Sequence, residues 1–289
     1  MNPITADILS LIFGNISIFM SIAIEAPQLY SILKTKNTSG TSLTTYILFM
    51  VASFLWITWS TVNYVANVLY IPSDVTNIVL HVSALTPAIL SNFINVVLVG
   101  FILFYKIKHL RICKKLNITE LEYSKILFDK QKGDSWLKKF YPLIIISFIA
   151  LMVCVAIVLI LYFIGIPKQI TIEEYERFAT SVLVLNVVAA VFFESMSWPQ
   201  FIKCMKTKDT SGISLAWAIF LPLSCVVCFS YDLFLAISTG WWNVIASLIC
   251  SGMIINTAVL ILKIKNVLKA KSFGLSDWEY TKKYIKPHK

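Results

Sequence analysis

Long apolar runs separated by short basic turns dominate the chain. Seven runs are long enough to cross a bilayer as helices, at roughly 7–33, 43–66, 76–105, 140–166, 178–202, 214–238 and 242–264. The cleanest is 140–166, inside a stretch with no charge between Lys139 and Lys168 and with few interior polar side chains beyond Ser147, Cys154 and Tyr162. Two segments depart from the pattern. Residues 106–139 are rich in Lys, with Glu120, Glu122, Asp129 and Asp134 interspersed, and predict one or two short helices outside the membrane. The tail, ending WEYTKKYIKPHK, predicts a solvated or head-group-contacting surface.

One phrase occurs twice. PQLYSILKTKNTSGTSL at 27–43 returns as PQFIKCMKTKDTSGISL at 199–215, ten of seventeen positions being identical at a fixed shift of 172 (27→199). Both copies close an apolar helix and lead into a basic turn, the mark of a duplicated membrane unit. The halves divide the chain into a first three-helix repeat (1–105), a basic insert (106–139), a linker helix (140–166), a second three-helix repeat (167–265) and a basic tail (266–289). An odd crossing between the two units gives them the same orientation, so the predicted fold is all-α, two parallel three-helix bundles joined as 3+1+3.

Within each phrase the proline removes a helical hydrogen bond and predicts a kink, and the freed carbonyl needs another partner. Gln28 and Gln200 can donate to such a carbonyl or to the neighbouring repeat. The following K-T-K-x-T-S-G-x-S-L supplies a polar turn, a Gly suited to positive φ and a Ser able to cap the next helix. Pro27–Gln28 and Pro199–Gln200 thus read as paired hinges.

Composition supports a lipid environment: 58% of residues are hydrophobic, 14% charged and the mean hydropathy is +0.78. With seven spans, 23 of the 25 Lys and Arg fall on one side, which predicts an outside N-terminus and a cytoplasmic C-terminus. The formal charge of +10 is therefore a topology signal and an attraction to anionic head groups, with no groove-reading motif for nucleic acid. No basic residue precedes Lys34, so the first run reads as a retained helix. Cys225 and Cys228 form a C-x-x-C inside an apolar run and read as small packing residues. His81, His109 and His288 lie in separate segments, and no phosphate loop or metalloprotease motif occurs. The expectation is a protein without enzymatic activity, cofactor or metal.

The duplicated phrase resembles the PQ-loop superfamily, which includes the SWEET sugar transporters, their half-size SemiSWEET relatives and cystinosin-like exporters. The resemblance covers nearly all of the membrane part, without the 106–139 insert and the tail. It implies alternating access about the proline hinges, with helices two, three, six and seven lining a central cavity. A SWEET-type second helix ends in Trp-x-x-Tyr-Gly and the third carries a pocket Asn; here Trp56-x-x-Trp59-Ser60 and Asn92 stand at those places. A ring face stacking on a sugar opposite an amide that sorts hydroxyls is sound chemistry; an interfacial aromatic and a helix-bonding Asn are the plainer alternative.

The second half departs from this pattern. The shift of 172 takes Trp56 to Cys228, Trp59 to Tyr231 and Ser60 to Asp232, while Asn92 aligns with Gly252 and Asn256 lies one turn further on. In exchange, Glu194, Asp232 and Glu25 place carboxylates in the spans, where such groups usually face a cavity or a proton path. Burial favours the protonated form of a carboxylate, the property a proton carrier uses. Glu25 has an alternative partner in the lysines of the adjoining turn. The expected activity is transport of a small polar solute across the cell membrane, a sugar first and a proton-coupled amino acid as alternative. A ligand receptor on the same fold, as the KDEL receptor's similarity to this superfamily implies, is a third reading. The sequence leaves oligomeric state open.

Overall fold

The computed structural model describes residues 3–69, 75–130, 172–239 and 251–285. The expected linker helix at 140–166 lies outside the described residues, as do the start of the seventh run and the end of the basic insert. Regular structure among the described residues is helical throughout: α1 Pro3–Thr35, α2 Leu43–Leu69, α3 Val75–Leu116, α4 Glu120–Lys130, α5 Ile172–Ser195, α6 Ser197–Thr207, α7 Leu215–Thr239, α8 Ser251–Ser272 and α9 Asp277–Tyr284. Four stretches of these, Ile8–Thr35, Leu43–Thr61, Thr86–Leu116 and Leu215–Phe234, are long and apolar enough to cross a membrane.

The helices are apolar outside, and inside they bury small and polar side chains as well as apolar ones. Phe19, Phe54, Val184 and Ile254 are exposed, whereas Ser10, Ser17 and Ser21 of α1, Ser53 and Ser60 of α2, and Asn92 and Asn95 of α3 are buried. Lipid tails give apolar side chains no reason to hide, so close packing of small residues and internal hydrogen bonds hold such a bundle together. Ser10, Gly14, Ser17 and Ser21 recur every three or four residues along one face of α1. At Gly14 an added Cβ would lie 3.0 Å from Pro87 of α3 and 3.1 Å from the Tyr231 ring of α7, so only glycine permits this approach. The Ser17 hydroxyl donates to the Gly14 carbonyl (2.6 Å) and Ser21 to Ser17 (3.0 Å), which satisfies them within their own helix.

The two repeats pack by exchange. α1 lies against α3 of its own repeat and α7 of the other, while α2 lies against α3 and against α5 of the other repeat. One apolar core forms where they cross, from Leu29 and Ile32 (α1), Tyr46 and Phe49 (α2), Ile102 (α3), Met196, and Ile213, Trp217 and Leu221 at the second turn and α7. Both repeated turns meet at the same lysine-rich end, which requires the two units to run in the same direction.

The prolines differ in effect. α1 runs unbroken through Pro27, whereas in the second copy the helix is interrupted at Met196, three residues before Pro199. Met196 keeps helical dihedrals (φ −62°, ψ −28°) and its N–H still reaches Phe192 O at 3.1 Å. The interruption sits at the turn that the missing Pro199 N–H would have closed.

A second duplication extends the repeats beyond the membrane part, into the segments expected to be a basic insert and a basic tail. At a shift of 157 (106→263), Lys106, Ile107, Lys108, Lys114, Glu122, Tyr123 and Lys125 recur as Lys263, Ile264, Lys265, Lys271, Glu279, Tyr280 and Lys282. The geometry recurs as well. α3 continues past residue 105 to Leu116, then turns through Asn117 (φ 53°) into α4; α8 turns through Gly274 (φ +68°) into α9. Each short helix starts with a capping box, Thr119 with Glu122 and Ser276 with Glu279. Each long helix carries a lysine paired with an acid fourteen residues on, Lys106–Glu120 at 2.6 Å and Lys263–Asp277.

Candidate functional site

The repeated turns are built identically. Lys36 (φ 54°) and Lys208 (φ 56°), related by the same shift of 172, take the left-handed conformation that ends the preceding helix, and their N–H groups reach Ile32 O (2.8 Å) and Cys204 O (2.9 Å). The positive φ expected at the turn glycines therefore belongs to the lysines. Gly40 and Gly212 are needed for another reason: they press on each other. A Cβ on Gly40 would stand 2.8 Å from Gly212 N, and one on Gly212 would stand 2.7 Å from Gly40 N. Ser42 and Ser214 cap the next helices through the N–H groups of Thr45 (3.4 Å) and Trp217 (3.0 Å), as the sequence predicts.

Around this contact the motif glutamines form a reciprocal clasp. Gln28 Nε2 donates to Gly212 O (2.7 Å), and its Oε1 accepts from Ser214 N (2.7 Å). Gln200 Nε2 donates to Gly40 O (2.7 Å), and its Oε1 accepts from Ser42 N (2.8 Å). Each glutamine thus holds the turn of the opposite repeat, and neither is exposed. Asn37 Nδ2 donates to Ser211 Oγ (2.7 Å), and Ser39 Oγ donates to Asp209 Oδ2 (2.6 Å). Where the first repeat has a donor amide the second has an acceptor carboxylate, so the pseudo-symmetric pair is complementary. Further out, Lys106 Nζ donates to Thr38 O (2.7 Å) and Lys263 Nζ to Thr210 O (2.9 Å). His109 Nδ1 sits 3.1 Å from Thr38 Oγ1, and its counterpart Asn266 donates to Thr210 Oγ1 (2.9 Å).

A cavity of about 40 Å³ lies between the repeats. Trp56, Trp59 and Asn92 line it from the first repeat and Tyr231 and Asp232 from the second, with Ser17 and Cys228 beside them. At 1.5 Å rise per residue, Trp59 lies about 24 Å and Asp232 about 26 Å along their helices from Leu43 and Leu215, beyond the middle of a ~30 Å hydrocarbon layer. Trp56 is fixed by its indole N–H to Asn186 Oδ1 (3.1 Å) and by the Phe193 ring at 4.8 Å. Asn92 Nδ2 donates to Ala88 O in its own helix (2.9 Å). Asn186, which sequence reading missed, is outside the lining and positions Trp56 from behind. Its counterpart by the 172 shift is Gly14, so the repeat gave no signal for it.

The other expected residues lie elsewhere. Asn256 accepts from Ser197 Oγ (2.5 Å) and donates to Cys225 Sγ (3.4 Å), tying α6, α7 and α8 together. The register set by the paired lysines places Asn256 opposite Val99 and Gly252 opposite Asn95, so the alignment of Asn92 with Gly252 is corrected by three residues. Glu194 accepts the backbone N–H of Gly252, where a Cβ would overlap the carboxylate. Glu25 is fully buried and pairs with Trp217 Nε1 (3.3 Å), not with the lysines of the adjoining turn, and its Oε2 has no partner among the described residues. It lies about 15 Å from the end of α1, near mid-membrane depth. Of the three candidate carboxylates only Asp232 lines the cavity. Among the described residues no group of three His, Cys, Asp or Glu could hold a metal ion.

No curated protein and no solved structure matches the chain. Residues 9–69 match the family model of the PQ loop repeat, which spans α1, the first turn and α2. The Pro-Gln phrase present twice, with each glutamine holding the opposite turn, agrees with this match, and together they support membership of the PQ-loop superfamily.

Proposed function

We propose that this protein is a multi-pass transporter that carries a small polar solute across a membrane by alternating access between its two repeats. The observation that carries the reading is the cavity lined jointly by Trp56, Trp59 and Asn92 of one repeat and Tyr231 and Asp232 of the other. A site divided between two parallel units changes its exposure when they rock, while the solute keeps contacts with both. Its volume of about 40 Å³ admits roughly three waters. Ligand pockets measure about 300–1,000 Å³, so this conformation is contracted and the site widens to receive its solute. The lysine-rich end, which the positive-inside bias assigns to the cytoplasm, is shut by the clasp.

A sugar is the first substrate class: the aromatic faces of Trp56, Trp59 and Tyr231 offer stacking, and the carboxylate of Asp232 can accept from hydroxyls. A second reading, an amino acid or other amine-bearing solute, draws on the carboxyl group of Asp232 on the cavity wall. Binding separates them. A sugar site predicts that glucose raises the thermal stability of the purified protein, by about 2.7 kcal/mol at a hundred times its dissociation constant, and that Trp56→Ala removes the effect. Stabilisation by amino acids alone, lost in Asp232→Asn, replaces the sugar reading with the second.

A further inference from the structure

We propose that Lys203 and Glu120 form a one-sided latch across the two repeats, which holds the lysine-rich end shut and parts before the central cavity opens toward that end. This rests on the alternating-access reading and adds to it a pair of residues outside the clasp and outside the cavity.

Lys203 belongs to α6 of the second repeat, yet among the described residues its ammonium group donates to first-repeat atoms, Thr41 O at 2.7 Å and Glu120 Oε2 at 3.1 Å. The same Glu120 oxygen accepts from Lys106 Nζ at 2.6 Å, and Lys106 in turn grips Thr38 O at 2.7 Å. The first turn is therefore held at both Thr38 and Thr41 by two ammonium groups joined through one carboxylate. Lys106–Glu120 is internal to the first repeat; Lys203 is the member that crosses.

The second repeat has the strut without the latch. Lys263, Thr210 and Asp277 reproduce Lys106, Thr38 and Glu120. The residue that would reproduce Lys203 is Ser31 (203→31), whose side chain is too short to make the same bridge. Duplication accounts for the strut; the crossing lysine is an asymmetric addition. Its location suits a contact that must be remade in each cycle. The Lys203 side chain is 25% exposed and Glu120 15%, so water can replace either partner as the pair separates. A fully buried pair would strand a charge on opening.

Cys228, on the cavity wall, offers a readout that needs no substrate. In a chain whose other cysteines are replaced by Ala or Ser, labelling of Cys228 by a membrane-impermeant thiol reagent is measured from the lysine-rich face of sealed vesicles. Loss of one charge-assisted bond of this kind is expected to raise the labelling rate about tenfold in Lys203→Met. Lys203→Arg should keep the original rate. Ser31→Lys, which by the correspondence of the repeats would reach toward Asp277 as Lys203 reaches Glu120, should slow labelling. Asp277→Asn, which cuts the internal strut of the second repeat, should accelerate it less than Lys203→Met does. An unchanged rate in Lys203→Met overturns the latch, as does an equal rise in Asp277→Asn, which would mean that any strut serves. The transport reading fails separately, if no labelled solute crosses while the labelling rates still respond.

Discussion

Gly40→Ala tests the closed contact at its tightest point. The new Cβ would sit 2.8 Å from Gly212 N, 3.2 Å from Asp209 O and 3.3 Å from Gly212 Cα, all parts of the backbone of the opposite turn. Ordinary contact begins at 3.4 Å, so the turns must separate by about 0.6 Å. That shift carries the four clasp bonds, now 2.7 to 2.8 Å, toward 3.3 Å or beyond. Four buried bonds of about 0.5–1.5 kcal/mol each, weakened by half, forfeit about 2 kcal/mol. Overpacking adds about 1 kcal/mol, and the stiffer unfolded chain returns about 0.5 kcal/mol. The net loss is about 2–3 kcal/mol against the unfolded chain, and about 3 kcal/mol, or more than roughly a hundredfold in population, against an open folded conformation, where the unfolded chain plays no part. Thermal unfolding in detergent, together with Cys228 labelling from the lysine-rich face, reads both consequences. Gly212→Ala should behave alike, and the double variant should cost about as much as one single, because one separation of the turns relieves both close contacts. An unchanged melting temperature and labelling rate in Gly40→Ala, or full additivity in the double variant, refutes the reasoning.

Other consequences follow from the same geometry. Gln28→Leu and Gln200→Leu should each destabilise by about 2–3 kcal/mol, since each strands a buried carbonyl and a buried N–H of the opposite turn; chemical denaturation of the purified protein measures it. Asn37→Asp should be more harmful than Asp209→Asn, because it removes the amide donor to Ser211 and brings a second carboxylate toward Asp209, at a cost of about 1–3 kcal/mol by the same assay. Trp56→Phe keeps an aromatic ring and leaves the Asn186 amide without its indole donor, so solute affinity should fall about tenfold in a binding titration. The Glu279 carboxyl is held below the usual carboxylate range by the backbone and hydroxyl of Ser276. A lowered value in the folded state means that the cap persists above the ordinary carboxylate range and is lost as pH falls through the lowered value, so amide exchange at the start of α9 should accelerate only in acid.

The membrane class, the duplication and the position of the motif glutamines were legible in the residues, because hydropathy and a ten-in-seventeen identity survive without coordinates. What the glutamines hold was not, since a partner 184 residues away is set by packing alone. The role of Gly40 was misread for a related reason: a glycine that permits φ > 0 and one that permits contact look the same in sequence. The second duplication, at 106–127 and 263–284, was present in the letters but weak, and its shift of 157 differs from the 172 of the first phrase. Searching at a single shift hides it, and it becomes plain once Lys106–Glu120 and Lys263–Asp277 appear as the same strut. The carboxylates show the limit of depth arguments. Glu25, Glu194 and Asp232 all lie in apolar runs, yet one meets an indole, one a backbone N–H and one the cavity; helix rotation and neighbouring side chains decide this, not depth.

The measurement that meets the central claim most directly is counterflow in proteoliposomes loaded with unlabelled solute, following labelled glucose and a labelled amino-acid mixture with and without an imposed pH gradient. The account predicts saturable exchange of one of these solute classes, indifferent to pH for a sugar facilitator or proton-driven and dependent on Asp232 for an amino acid, and slowed by Trp56→Ala in either case. Binding of a solute without any exchange across the sealed membrane would contradict it and would make the chain a receptor built on the same helices.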